Sequence, residues 1–176
     1  FLPIPRSSLT FCQQMKESAS DLIENLHLER HVEGGWFKRT YESERNISLS
    51  QGTRPCGTSI LYLLEKEDYS RLHSLKSDET WYYHQGNSLE LILFDSTGFK
   101  TVQLGNGIDA GQIPQYTIEA GTIFGALPFG EEDWSLVSCS VSPGFDYADF
   151  MWPDIHELIT RFPEKETLLK RLSQKV

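Results

Sequence analysis

The sequence predicts a mainly β chain, an antiparallel sandwich or β-barrel with short helices at its N- and C-terminal ends. Between Thr58 and Val141, short apolar runs such as SILYLLE and LELILF recur at short spacing with no helical segment between them. That pattern indicates antiparallel strands rather than βαβ units. The runs are separated by HQGNS, DSTGF, LGNGIDAGQ, EAGT and LPFGEED, all rich in turn formers. Helical periodicity is confined to the two ends.

Taken in order, Ala19, Leu22, Ile23 and Leu26 recur at helical spacing behind serines able to cap, which predicts an amphipathic helix over about 18–28. Gly34-Gly35 then breaks the chain, and the aromatic stretch WFKRTYES reads as extended. The barrel is expected over about 34–150. Within it, Leu89, Leu91 and Leu93 alternate with Glu90, Ile92 and Phe94, as a strand with two different faces would. After Pro143-Gly144, Pro153 is placed to open a helix carrying Ile155, Leu158 and Ile159. Pro163 breaks it, and Leu168, Leu169 and Leu172 mark a last helix, so the C-terminal helices fall at about 153–173.

The 176 residues suit a single domain spanning 1–176, with enough chain for a substantial core. A composition of 39% hydrophobic, 23% charged and 12% aromatic residues is that of an ordinary soluble protein. No apolar run approaches the roughly 20 residues that cross a bilayer, so a membrane span is not expected. The net charge of −9 argues against nucleic acid as a partner, and an anionic ligand would need a local basic pocket. Cys12, Cys56 and Cys139 are odd in number and scattered. They imply free thiols in a reducing compartment, hence a cytoplasmic location. The chain begins at Phe1 and reads as a trimmed product; FLPIPRSS lacks the basic start and long apolar centre of a signal peptide.

The most informative stretch is LHSLKSDETWYYHQG, residues 72–86. His73 precedes the carboxylate Glu79 by six residues, and Gly86 closes the aromatic run that follows. In a barrel this spacing can put an imidazole and a carboxylate on neighbouring strands facing one cavity. His73, Glu79 and Gly86 match the first motif of the cupins, G-x5-H-x-H-x3-4-E-x6-G, with Leu75 at the second histidine position. The second motif is echoed by Gly121 and Pro128-Phe129-Gly130, with Asp133 and Val137 at its histidine and asparagine positions. HVEGGWFKRTYES, LHSLKSDETWYYHQG and SCSVSPGFDYADF together resemble a small cupin family similar to dTDP-4-dehydrorhamnose 3,5-epimerase. The resemblance runs from about Leu22 through the C-terminal helices. It implies a cupin jelly-roll β-barrel and a homodimer built by exchange or pairing of edge strands.

A mononuclear metal site needs at least three suitable ligands. With Leu75 in place of a histidine, neither a metal nor another cofactor is expected. A carboxylate beside an imidazole fixes its tautomer and raises its basicity, giving a general base near neutral pH. His73 and Glu79 are therefore the expected catalytic pair, suited to abstracting a proton beside a sugar carbonyl. Arg71-Leu72-His73 is similar to the R-G-L-H context of the epimerase base, one residue shorter. Arg71, Lys76 and Tyr83 are candidate donors for the resulting oxyanion. Arg71, Lys76, Trp81, Tyr83 and His84 form the expected ligand-binding set, for a small polar molecule such as a sugar or nucleotide sugar. Two other classes stay open: a non-catalytic binding or structural cupin, and a metal-dependent oxygenase or isomerase completed by Asp133, His84 or a residue outside the motifs. If the whole segment from Glu79 to His84 is a single strand, opposite parity turns the two side chains to different faces. Trp36 and Phe37 are read first as a dimer edge and second as pocket lining. Gly34-Gly35 lacks the Lys and Ser/Thr of a phosphate loop and reads as a turn. Asp146 and Asp149 read as structural, and Cys139 as a buried free thiol.

Overall fold

The computed structural model describes residues 17–174, so Cys12 and the FLPIPRSS segment lie outside the described residues. Ser18 caps α1 (Ala19–Leu26): its hydroxyl accepts from the Asp21 N–H while the Asp21 carboxylate accepts from the Ser18 N–H. This reciprocal pair satisfies two N-terminal donors that the helix itself leaves open. Thirteen strands follow among the described residues. They are β1 (Glu29–Arg30), β2 (Trp36–Glu42), β3 (Asn46–Leu49), β4 (Gly52–Pro55), β5 (Thr58–Glu65), β6 (Ser70–Leu75) and β7 (Asp78–Gly86). Then come β8 (Ser88–Asp95), β9 (Gly98–Leu104), β10 (Gln115–Ile118), β11 (Ile123–Phe129), β12 (Trp134–Ser142) and β13 (Phe150–Met151). The helices α2 (Ile155–Arg161) and α3 (Glu166–Ser173) end the fold.

A six-stranded sheet runs β1-β2-β5-β12-β7-β10 and a five-stranded sheet runs β13-β6-β11-β8-β9, with β3-β4 as a separate hairpin. The strand pairs within these sheets are antiparallel. Period-two alternation distributes the apolar side chains among three layers. Tyr62, Leu64, Trp81, Leu89, Leu91, Leu93, Phe124, Val137 and Cys139 form the cluster between the sheets. Leu63, Trp134 and Leu136, on the far side of the six-stranded sheet, pack under Ala19 and Leu22 of α1. Leu72, Ile92 and Phe94, on the far side of the five-stranded sheet, pack under Leu158, Leu169 and Leu172. The two-faced LELILF run thus serves two cores at once, as its alternation predicts.

The expected mainly β jelly-roll with short terminal helices is what the chain adopts. Its strands begin at Glu29, earlier than the expected barrel boundary. Asp154 caps α2 through the His156 and Glu157 N–H groups, so Pro153 stands one residue before the cap. Gly86, at φ +90°, makes the turn between β7 and β8. A Cβ there would lie 2.2 Å from the Trp134 carbonyl oxygen, so the close approach requires glycine. Among the described residues no helix is long and apolar enough to cross a membrane.

Candidate functional site

At one end of the sandwich a cavity of about 40 Å³ lies between the two sheets. That is room for a few waters or the reacting end of a larger molecule. Its inner wall carries Glu33, Glu79, Trp81, Tyr62 and Cys139, with Leu75 from the facing sheet. Phe37, Arg39, Phe145 and Tyr147 line its mouth and also border a wider surface groove with Glu29, Glu42 and Asn46. The Arg39 guanidinium is paired with Glu42 at this rim.

The inner chamber is built around a carboxylate from the HVEGG segment. Gly34 and Gly35 take φ values of 109° and 67°, and a Cβ on Gly35 would meet the Leu63 carbonyl oxygen at 2.6 Å. Only glycine lets the chain turn so close to β5 and deliver Glu33 inward. Two further contacts fix the turn: the Tyr62 hydroxyl donates to the Gly34 carbonyl at 2.8 Å, and the Arg71 N–H donates to the Glu33 carbonyl at 2.9 Å. The Ser70 hydroxyl donates to Glu33 Oε2 at 3.1 Å.

His73 stands behind Glu33. The ring is 1% exposed, stacked on Phe150 at 5.1 Å and against Phe124 at 4.1 Å. Its Nδ1 lies 2.7 Å from the Arg71 carbonyl oxygen. A carbonyl can only accept, so Nδ1 carries the proton and Nε2 is a lone pair, 3.5 Å from Glu33 Oε1. Desolvation holds the His73 pKa down at about 3. His31, beside Phe37 and Tyr62, is lowered to about 4 by the same cause. Both rings are therefore neutral near pH 7.

The carboxyls are shifted the other way. Desolvation raises Glu33 well above the usual range, and the neighbouring Glu79 charge raises it further. Glu79 is raised to about 7, chiefly by desolvation, while the nearby Trp81 N–H and Cys139 thiol favour its charged form. Burial and the two carboxyls push the Cys139 thiol well up, so it stays protonated. Trp81 Nε1 closes no hydrogen bond of good geometry.

The structure therefore brings some of the expected residues together and separates others. Glu79 and Trp81 line the cavity. The carboxylate facing His73 is Glu33, and His73 and Glu79 come from opposite sheets rather than neighbouring strands. Arg71 and Lys76 do not line the cavity. The Arg71 guanidinium stacks 4.1 Å from the Trp152 ring and donates to the Ser173 carbonyl, on the outer side of β6. Lys76 Nζ lies 3.7 Å from Asp149 Oδ1. Tyr83 donates its hydroxyl to the Gly86 carbonyl and packs at the margin of the inter-sheet core. His84 falls at a register shift between β7 and β12 and is exposed, its Nε2 on the Ser138 hydroxyl. Parity and that bulge together turn it away from Glu79.

Asp133 sits in the turn before β12, where its carbonyl accepts from Lys66 N–H, and Val137 is in the core. Asp149 is held by Arg54 at 2.6 and 3.0 Å, a buried clamp between β4 and the segment before β13. Asp146 caps a short turn through the Ala148 N–H. The donor set does not fit a metal. Leu75 presents an aliphatic wall, and among the described residues no three His, Cys, Asp or Glu side chains are grouped to hold an ion.

Residues 20–152 match the family described as the Cupin superfamily (DUF985). The chain belongs to this cupin family. Protein SO0799 from Shewanella oneidensis is similar in structure, with a TM-score of 0.82 at 36% identity, covering 92% of this chain and 100% of that one. A hypothetical protein from Leishmania major gives a TM-score of 0.83 at 34% identity, covering 90% and 100%. The uncharacterised protein YML079W of Saccharomyces cerevisiae is 25% identical over 147 residues, 75% of this chain and 73% of that protein. As a cupin, this chain has an apolar Leu75 and a buried neutral His73 at two first-motif positions, while the motif glutamate, Glu79, faces the cavity.

Proposed function

We propose that this cupin binds a small polar molecule at the cavity and moves a proton on it without a metal, as an isomerase or epimerase does. The observation that carries this reading is Glu79, a buried carboxyl in the cavity wall whose pKa is brought to about 7. A group poised there exchanges protons in both directions at physiological pH. As carboxylate it takes a proton from the carbon beside a carbonyl, leaving an enolate; as carboxylic acid it returns a proton to that carbon. Glu33, whose carboxyl burial pushes well up, and the neutral His73 and His31 form a polar backing that positions the chamber.

The cavity admits only the reacting end of a ligand. A sugar or nucleotide sugar would place its remainder against Phe37, Phe145 and Tyr147 at the mouth, where aromatic faces suit a sugar ring and Arg39 an anionic group. The test is solvent-deuterium incorporation, followed by NMR, into a panel of hydroxy-aldehydes, ketoses and keto-sugar nucleotides. Incorporation that disappears in Glu79→Gln supports the reading. No incorporation into any of them by the unaltered protein refutes it. The narrowness of the cavity favours a second reading, a cupin that holds such a ligand without turnover.

A homodimer accords with the six-stranded sheet. β1 covers only Trp36 and Phe37 of β2, and Tyr41 further along that edge is 55% exposed. Sedimentation velocity tests this directly. Free Cys56 and Cys139 accord with the cytoplasm.

A further inference from the structure

Four buried side-chain polar atoms lack a hydrogen-bond partner among the described residues: Arg71 Nε, Ser77 Oγ, Trp81 Nε1 and Ser135 Oγ. Only Trp81 of these belongs to the cavity wall. Unpaired buried donors are rare; this one lies near the Glu79 carboxyl without closing a hydrogen bond to it, so an acceptor entering the cavity can take it. We infer that the Trp81 indole N–H is the donor that holds the carbonyl oxygen of an α-hydroxy-carbonyl substrate, beside Glu79. This rests on the proton-transfer reading above and names the substrate fragment and the second group that acts on it.

Three features support the assignment. The first is spacing. Glu79 and Trp81 are i and i+2 on β7, so both point inward with their Cα atoms about 7 Å apart. A proton acceptor and an oxygen holder that far apart at their roots can converge on adjacent carbons of one short fragment. The second is rigidity. The indole is 1% exposed and meets the rings of Tyr62 at 5.7 Å and Phe124 at 6.4 Å, each edge-on at 89°. A donor locked in place before the reaction needs no reorganisation when charge develops on the oxygen. The third is availability. The Tyr62 hydroxyl is committed to the Gly34 carbonyl, the Arg39 guanidinium is paired with Glu42, and a thiol such as Cys139 is a weak donor. During turnover the C–H bond beside the carbonyl breaks toward the Glu79 carboxylate. Its electron pair moves onto the carbonyl oxygen facing Trp81, and the reverse step restores carbonyl and carboxylate with no net change of oxidation state.

The experiment uses protein labelled with 15N in the indoles of its four tryptophans, the Trp81 signal being assigned by Trp81→Phe. Dihydroxyacetone and glycolaldehyde are titrated in as minimal α-hydroxy-carbonyls. The expected result is a saturable displacement of the Trp81 indole proton resonance. The signals of Trp36 and Trp134, already bonded to Glu65 and to the Glu17 carbonyl, stay in place. A Trp81 signal unmoved through both titrations overturns the inference. Phenylalanine could loosen the core, so a second variant places benzothienylalanine at 81, which keeps the bicyclic shape and lacks the N–H. Deuterium incorporation should fall about 100-fold in kcat, and the pH midpoint set by Glu79 should rise because the N–H that favours its charged form is gone; an unchanged rate overturns the inference. Absence of incorporation in the unaltered protein defeats the proton-transfer reading instead, and the indole titration still decides whether Trp81 is the donor.

Discussion

Replacing Glu79 by glutamine should stabilise the protein increasingly as pH rises, and the size of the effect follows from the site. The folded chain holds the Glu79 proton up to about pH 7, against an ordinary value of 4.5. A carboxyl raised by folding binds its proton more tightly in the folded state than in the unfolded state. Its contribution to stability is therefore intact below 4.5, falls as pH climbs toward about 7, and is level above that. The rise corresponds to a total penalty of about 3 kcal/mol, of which about 1 kcal/mol is reached near pH 5 and nearly all by about pH 8. Glutamine has no such dependence, and removing the Glu79 charge also relieves Glu33, which that charge raises. The stability difference between Glu79→Gln and the unaltered protein should thus grow by about 2 kcal/mol or more from about pH 5 to about pH 8. Any fixed loss from the amide's poorer fit shifts the whole curve without changing its slope. Urea unfolding followed by tryptophan fluorescence at several pH values measures it. A difference that stays constant over that range would falsify the assignment of Glu79 as a buried proton carrier.

Histidine effects carry the opposite sign. His73 is lowered to about 3, so folding stability is complete above its ordinary value of 6.5 and drains away as pH falls toward 3. Thermal denaturation of His73→Gln across that range should show a visibly shallower acid limb, and an identical limb would refute the buried neutral ring. Gly35→Ala must accommodate a Cβ 2.6 Å from the Leu63 carbonyl at a positive φ. The backbone strain alone should cost about 1–3 kcal/mol, read as a fall in urea midpoint, and deuterium incorporation should fall with it because Glu33 is displaced. Arg54→Ala strips the partner from buried Asp149, whereas Arg39→Ala removes an exposed pair; the former should lower Tm far more, and equal shifts would refute the clamp. Iodoacetamide on the native protein should alkylate exposed Cys56 and spare Cys139, whose thiol is buried and held protonated; mass spectrometry of Cys139 peptides decides.

Legibility in the sequence was uneven for reasons that can be located. The strands were legible because alternation such as Leu89-Leu91-Leu93 against Ile92-Phe94 reports directly on two differently covered faces. The terminal helices were legible from apolar spacing, capping residues and prolines. Glu79 stands out in the sequence through the motif spacing and Trp81 through the aromatic run, and both line the cavity because they share one face of a single strand. The sequence marks the segment that holds Glu33 and His31 but does not single out either residue. Their placement depends on two consecutive positive-φ glycines passing against β5, a tertiary contact that local pattern does not encode. The sequence signal lay in the glycine pair itself, which aims whatever precedes it. Arg71, Lys76 and Tyr83 have suitable chemistry and lie near the motif in sequence, yet their side chains are engaged by Trp152, Asp149 and Gly86.

The proposed assignment of proton transfer to the motif glutamate rather than the motif histidine has a physical basis. In an open pocket an imidazole titrates near neutrality and a carboxylate does not. Here Phe124 and Phe150 flank the His73 ring, the Arg71 carbonyl occupies its Nδ1, and burial raises the carboxyl facing Nε2 well above the usual carboxylate range. Accepting a proton near pH 7 would require His73 to charge against a value of about 3, a penalty of about 5 kcal/mol. The same desolvation acting on an acid moves it toward neutrality instead of away from it, and Glu79 arrives at about 7. Leu75 contributes in the same direction, adding apolar wall where a second imidazole would have added a ligand or a charge. Introducing Leu75→His should therefore lower the pH midpoint of any Glu79-dependent activity, because a cationic or polar neighbour favours the carboxylate. If that midpoint rose, desolvation would not be the cause of Glu79's shift.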